Sequence, residues 1–198
     1  PLICRNDGAG GNIASSMLVY VITNRGQRPD LSPEDLAAAV AECGADMIQI
    51  RDKDLCARDR LAMARRAVSA SPGGRVFVNG RPDIAQAAGA AGVHLPADGL
   101  RVGAVRGRWG RALEMGVSVH SVEEAERAGI EGADFVVFGP VFETASKRSY
   151  GPPVGVEALA RTVAASEIPV LAVGGITPER VRSVRAAGAA GVAVISWV

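Results

Sequence analysis

The sequence predicts a closed (β/α)8 barrel of the TIM type. Short strand-like runs are apolar on both faces, each is followed by a stretch with helical spacing, and the pair recurs every roughly 20–30 residues. Hydrophobic residues make up 48% of the 198, aromatics only 4%, and there are 24 glycines. Small residues in that proportion suit parallel strands packed closely against helices better than a sandwich built on aromatic layers.

Eight strands are expected: Leu18–Thr23, Met47–Arg51, Arg75–Asn79, Gly92–Leu95, Gly116–His120, Asp134–Gly139, Val170–Gly174 and Gly191–Ile195. Val and Ile dominate these runs, as buried parallel strands require. Ser32-Pro33-Glu34-Asp35 places an N-cap, a first-turn proline and two acids at a helix start. Ser121-Val122-Glu123-Glu124 repeats the pattern with a capping-box carboxylate, and Thr177-Pro178-Glu179-Arg180 does so again. The pairs Gly44-Ala45, Gly132-Ala133 and Gly188-Ala189 mark helix ends. A doubly wound open sheet is the other architecture this alternation allows. Because the given sequence stops at Val198, just past the eighth strand, the eighth helix is expected to be missing or truncated.

Residues 1–17 carry several glycines and asparagines without an apolar core of signal-peptide length, and read as a flexible leader before a single barrel domain over 18–198. No run is long enough to span a bilayer. Cys4, Cys43 and Cys56 are odd in number and lack metal-ligand spacing, which points to reduced thiols and a cytoplasmic setting. With two histidines in all, a structural zinc site is disfavoured. The net charge of +1 favours neither nucleic acid nor a membrane surface, so an anionic ligand needs a local site.

Barrel chemistry sits at the C-terminal ends of the strands, which selects five clusters. Gly174-Gly175-Ile176-Thr177-Pro178 after the seventh strand, with Ile195 and Ser196 after the eighth, offers backbone amides to a phosphate. A tight turn is the bland alternative. At the second strand, alternation turns Gln49, Arg51 and Lys53 to one side, where two cations and an amide suit a polyanion or a carboxylate. Asn79 points inward at the third strand, although Asn79-Gly80 is also a generic turn pair and Asp83 suits a helix cap. Ser118 and His120 end the fifth strand, where an imidazole can relay protons near neutral pH. Beyond the sixth strand, Thr144, Ser146 and Lys147 offer hydroxyls and a cation to a second anion, while Glu143 is either a base or a rim charge. His94 reads as a packed or gating residue.

These clusters, in this order from Leu18 to Ser196, resemble the thiamine phosphate synthase/TenI superfamily. The resemblance implies a phosphorylated thiazole ligand and one of two reactions. In the synthase branch, magnesium assists the joining of a pyrimidine pyrophosphate to a thiazole phosphate. That branch has an aspartate after the third-strand asparagine and another after the fourth strand, where this sequence has Gly80 and Gly99. The other branch is a thiazole tautomerase, an isomerase that needs no metal. Val78-Asn79-Gly80-Arg81-Pro82-Asp83, Leu95-Pro96, Ser118-Val119-His120-Ser121 and Phe142-Glu143-Thr144 are similar to it, with its catalytic histidine at His120. The tautomerase, without cofactor, is therefore the expected activity. Gln49–Lys53 and Thr144–Lys147 keep a synthase-like pattern, and the synthase stays as the alternative, followed by a non-catalytic barrel that only binds the phosphate. The absence of a helix-turn-helix or basic face argues against direct DNA binding, and homo-oligomerisation stays open.

Overall fold

A computed structural model of the chain describes residues 17–27, 29–42, 45–71, 75–144 and 152–195. Eight parallel strands close on themselves in sequence order, so the open-sheet alternative is excluded. They are β1 (Leu18–Ile22), β2 (Met47–Ile50), β3 (Arg75–Asn79), β4 (Gly92–Leu95), β5 (Glu114–Val119), β6 (Phe135–Phe138), β7 (Val170–Val173) and β8 (Gly191–Val194). Between them run α1 (Pro33–Glu42), α2 (Ala57–Ala70), α3 (Pro82–Ala88), α4 (Val102–Trp109), α5 (Val122–Ile130), α6 (Gly155–Ala165) and α7 (Pro178–Ala186). The described residues end at Ile195 and include no helix after β8. The expected leader lies outside the described residues except Met17, which packs partly buried against the core.

Two apolar compartments follow from strand alternation. Outward-facing Ile48, Val76, Val93 and Met115 meet Leu36, Met63, Ala64 and Ala125 from the surrounding helices. Inside the barrel, Tyr20, Met47, Phe77, Phe135, Leu171 and Ala193 form a separate cluster. Each fully buried aliphatic or aromatic side chain of this kind contributes about 1.5–3 kcal/mol. Three of the eight aromatics meet here: Tyr20, Phe77 and Phe135 pack edge to face with centroids 5.2–5.8 Å apart. Such contacts favour the positive ring edge against a negative face. Glycine makes room for the rings, because a Cβ on Gly116 would overlap the Phe135 ring and one on Gly92 would lie 2.8 Å from Phe77.

Six expected strands are one residue shorter at the C-terminal end than expected, and β5 begins earlier, at Glu114. His120 shows why. Its N–H is taken by the Glu124 carboxylate at 2.6 Å, which draws the chain away from the sheet. Ser121 caps α5 as expected, accepting from the Glu124 amide at 3.2 Å, but the reciprocal carboxylate bond reaches His120 instead of Ser121. Ser32 accepts from the Asp35 amide at the start of α1, whereas Thr177 stands at the α7 cap without a side-chain capping bond.

Candidate active site

The mouth of the barrel is built on short struts between neighbouring strand ends. Thr23, just past β1, donates its hydroxyl to Asp52 at 2.6 Å and accepts the Arg51 amide at 3.0 Å. The second Asp52 oxygen accepts the Arg25 amide at 2.8 Å. Asp52 is 5% exposed, so both its oxygens serve the loop frame rather than a ligand. This frame presents Arg51 half-buried and Lys53 exposed. Both line a cavity of about 530 Å³ with Thr23, Asn24 and Arg25. Gln49 does not join them. It is buried inside the barrel, where Nε2 donates to the Tyr20 hydroxyl at 3.1 Å.

Gln49 belongs to a polar chain through the barrel interior. The Tyr20 hydroxyl lies 3.4 Å from His94 Nδ1, and His94 Nε2 lies 2.9 Å from Ser118 Oγ. Burial pushes the Tyr20 phenol well above its ordinary range, so it stays protonated and carries one hydrogen. With Gln49 donating to its oxygen, that hydrogen is available to His94 Nδ1, which leaves Nε2–H to donate to Ser118. His94 is thus packed and bonded, not a gate.

His120 takes the other tautomer. Its Nδ1 lies 2.5 Å from the Gly139 carbonyl, which can only accept, so Nδ1 carries the proton and Nε2 of the neutral ring is an acceptor. The carbonyl belongs to the segment that roofs the seventh strand. Val141 and Phe142 donate their amides to the carbonyls of Val173 and Gly174 at 2.8 and 3.0 Å, and Val154 and Gly155 return to bond Pro140 and Val141. One folded segment therefore connects the imidazole to the glycine bend.

Gly174 and Gly175 have φ of +97° and +61°, conformations that side chains rarely adopt. The space for a side chain is also filled. A Cβ on Gly174 would lie 2.6 Å from Pro140 Cα, and one on Gly175 would overlap the Glu143 carbonyl oxygen. Among the described residues, the amides of Gly175 and Ile176 donate no hydrogen bond, and the α7 N-cap, Thr177, follows directly after them. Unbonded amides just ahead of a helix N-terminus suit an anion.

Asn79 is 7% exposed at the end of β3. Thr144 is half-buried and Ile195 packs partly buried on the interior cluster. Ser146, Lys147 and Ser196 lie outside the described residues, as do Cys4 and Cys43; Cys56 is a free, exposed thiol. Two contributors had no expected role: Asp52 acts as a strut, and Arg180 stacks on Phe142 with Cζ 4.7 Å from the ring centroid. Glu124, expected only as a capping-box carboxylate, instead holds the His120 amide. A carboxylate inside an apolar strand-end motif was the available signal for Asp52; nothing local marked Arg180.

The residues present do not fit a carboxylate-held magnesium. Gly80 donates its amide to the His94 carbonyl at 2.8 Å and has no side chain to offer. Gly99 and Asp98 are exposed, Asp83 is bound bidentately by Arg81 at 2.6–2.8 Å, and Asp52 is already engaged. Among the described residues, no three His, Cys, Asp or Glu side chains converge. Magnesium takes several oxygen ligands in near-octahedral geometry. No helix of the described residues is long and apolar enough to cross a membrane.

The closed ring of parallel strands defines a (β/α)8 barrel, with cationic side chains at the β2 end and unbonded amides in the bend after β7 at its mouth. A family model described as thiamine monophosphate synthase matches residues 19–198, and the chain belongs to that family. A thiamine-phosphate synthase of Methanoculleus marisnigri is 47% identical over 182 residues, covering 91% of this chain and 86% of the relative. That of Roseiflexus castenholzii is 43% identical, covering 91% and 80%. The structure of a thiamine phosphate pyrophosphorylase from Pyrococcus furiosus superposes with a TM-score of 0.81 at 32% identity, covering 93% of this chain and 88% of the other. An N-acetylmannosamine-6-phosphate 2-epimerase from Clostridium perfringens shares the fold, with a TM-score of 0.69 at 16% identity.

These findings overturn the expected tautomerase and the isomerase class with it. That expectation rested on a few short motifs at the strand ends and on Gly80 and Gly99 standing where the synthase branch has aspartates, whereas the likeness to proteins named as synthases spans nine-tenths of the chain. The expectation of no cofactor followed from the tautomerase reading, whose proton shift needs no metal, and loses its basis with it.

Proposed function

We propose that the protein is a thiamine-phosphate synthase, joining a pyrimidine carrying a pyrophosphate to a thiazole carrying a phosphate. The observation that carries this reading is the pairing, on one barrel mouth, of a cation cluster at the end of β2 with an amide cradle after β7. Two phosphorylated substrates need two anion sites. In this ring, β2 and β7 are separated only by β8 and β1.

The thiazole nitrogen supplies the electron pair for the new C–N bond. The C–O bond to pyrophosphate breaks, and its electron pair leaves with the pyrophosphate. Atoms and charge balance without an oxidant, a reductant or a water. Arg51 and Lys53 meet the charge that grows on the leaving group, where electrostatic stabilisation acts most strongly. The amides of Gly175 and Ile176 hold the thiazole phosphate. Asn79 and Thr144, on strand-end segments of the same mouth, would meet the substrates, while Gln49 and Ser118 support the mouth from below through the Tyr20–His94 chain. With His120 Nδ1 engaged by the Gly139 carbonyl, Nε2 is the ring nitrogen left to meet the reacting groups.

The test supplies purified protein with both substrates, with and without magnesium, and follows thiamine phosphate and pyrophosphate by mass spectrometry. Equimolar formation of the two supports the reading. Binding of the thiazole phosphate with no product under either condition overturns it in favour of a barrel that only binds.

A further inference from the structure

We infer that Arg180 is a positioning residue that sets the shape of the phosphate cradle; this rests on reading the 174–176 bend as the thiazole-phosphate site. Arg180 lies in the first turn of α7, and its amide donates to the Thr177 carbonyl at 3.0 Å. From there the side chain folds back over the bend. Nη1 donates to the Gly175 carbonyl at 2.6 Å, and the guanidinium lies over the Phe142 ring at 4.7 Å.

These two contacts do different things. A peptide group whose carbonyl is pulled one way directs the following N–H the other way. Holding the Gly175 carbonyl on Arg180 therefore fixes the orientation of the Ile176 amide. The stacking on Phe142 fixes the guanidinium in turn, because a plane over an aromatic face has little freedom to rotate. Phe142 is itself anchored through its amide on the Gly174 carbonyl at 3.0 Å. The result is a closed circuit of Gly174, Phe142, Arg180 and Gly175. Glycine at 175 leaves the backbone free to take several conformations, and the circuit selects one.

The circuit requires an arginine. Lysine can donate to one carbonyl but cannot offer a flat face to a ring while its donor stays aligned in the plane. Arg180 also contributes positive charge near the anion, but the argument concerns geometry. The cradle amides are neutral donors, and their value lies in being aimed before the phosphate arrives.

The experiment compares Arg180→Ala and Arg180→Lys with the unsubstituted protein. It measures inorganic phosphate binding by calorimetry, steady-state KM and kcat for the thiazole phosphate, and thermal unfolding. For Arg180→Ala the expected result is phosphate binding weakened about 10–100-fold and KM raised to match, with kcat within about 3-fold, because ground-state and transition-state binding are lost together. Free guanidinium at about 50 mM should restore part of the affinity, and Arg180→Lys should stay at least ~5-fold impaired. An arginine that merely packs would lower Tm and leave phosphate affinity and KM unmoved. That outcome overturns the inference, as does a lysine variant equal to arginine. Absence of phosphate binding by the unsubstituted protein overturns the phosphate reading of the bend, and the inference with it. Failure of the synthase reaction alone leaves the phosphate measurement decisive.

Discussion

His94 and His120 have the same chemistry and opposite assignments, decided by one neighbour each. A phenol that must keep its proton puts the His94 hydrogen on Nε2, and a backbone carbonyl puts that of His120 on Nδ1. Side chains at strand ends were readable from alternation, but their partners were not, since these come from strands 24 and 19 residues away. The same limit explains Gln49, which shares a face with Arg51 yet lies one layer deeper, beneath the mouth. Gly175 is more predictable, because its constraint is local. Gly175→Ala puts a methyl onto the Glu143 carbonyl in a left-handed conformation, so phosphate affinity should fall by about 10-fold or more. Isothermal titration with inorganic phosphate checks this, and an unchanged affinity counts against the cradle. Position 80 runs the other way. Its φ is +66°, which aspartate tolerates, and the nearest atom to a Cβ is Pro96 Cδ at 3.9 Å. The substrate-free protein should show no saturable Mn²⁺ site below about 1 mM by electron paramagnetic resonance, while Gly80→Asp combined with Gly99→Asp should create one. A saturable site in the unsubstituted protein would contradict the reading of the mouth as lacking metal-binding acids.

At the scale of elements, the eight strands were legible because each is a short run buried on both faces, and the ring follows from their recurrence with helices between. Their ends were less so. Arg51 and His120 are apolar-run termini in sequence, yet the amide of each is drawn out of the ladder by a side chain elsewhere. The barrel interior gives a sharper test of how elements are tied together. Tyr20 on β1 serves Gln49 on β2 and His94 on β4, so Tyr20→Phe keeps the ring contacts but removes one donor and one acceptor. The buried partners left without it should cost about 1–3 kcal/mol. Urea unfolding should show the loss as a lower midpoint with an unchanged slope. No change in midpoint would mean that water replaces the hydroxyl.

For the whole molecule, the two ends of the barrel divide the work: the C-terminal mouth carries the proposed anion sites, and the N-terminal rim holds the strands in place. That rim is tied by Arg106 near the end of α4. Its guanidinium donates to the carbonyls of Gly110, Leu113 and Gly132 at 2.6–3.1 Å and to the Asp134 carboxylate at 2.7 Å. Asp134 also accepts the Met115 amide at 2.7 Å, so a single side chain links α4, the start of β5 and the turn into β6. The Arg106 side chain is only 16% exposed, and removing it takes the donor from the carbonyls of buried Leu113 and half-buried Gly132, while Asp134 keeps the Met115 amide and Arg111. Arg106→Met retains the apolar stem and should still cost roughly 2–4 kcal/mol. In a chain of this size that lowers Tm by roughly 5–15 °C. Because the contacts lie at the end of the barrel away from Arg51, His120 and Gly175, KM for both substrates should stay within about 2-fold at temperatures where the variant is folded. A large rise in KM with little change in Tm would show that the two ends are coupled, and the division between a stabilising rim and a reactive mouth would then fail for this barrel.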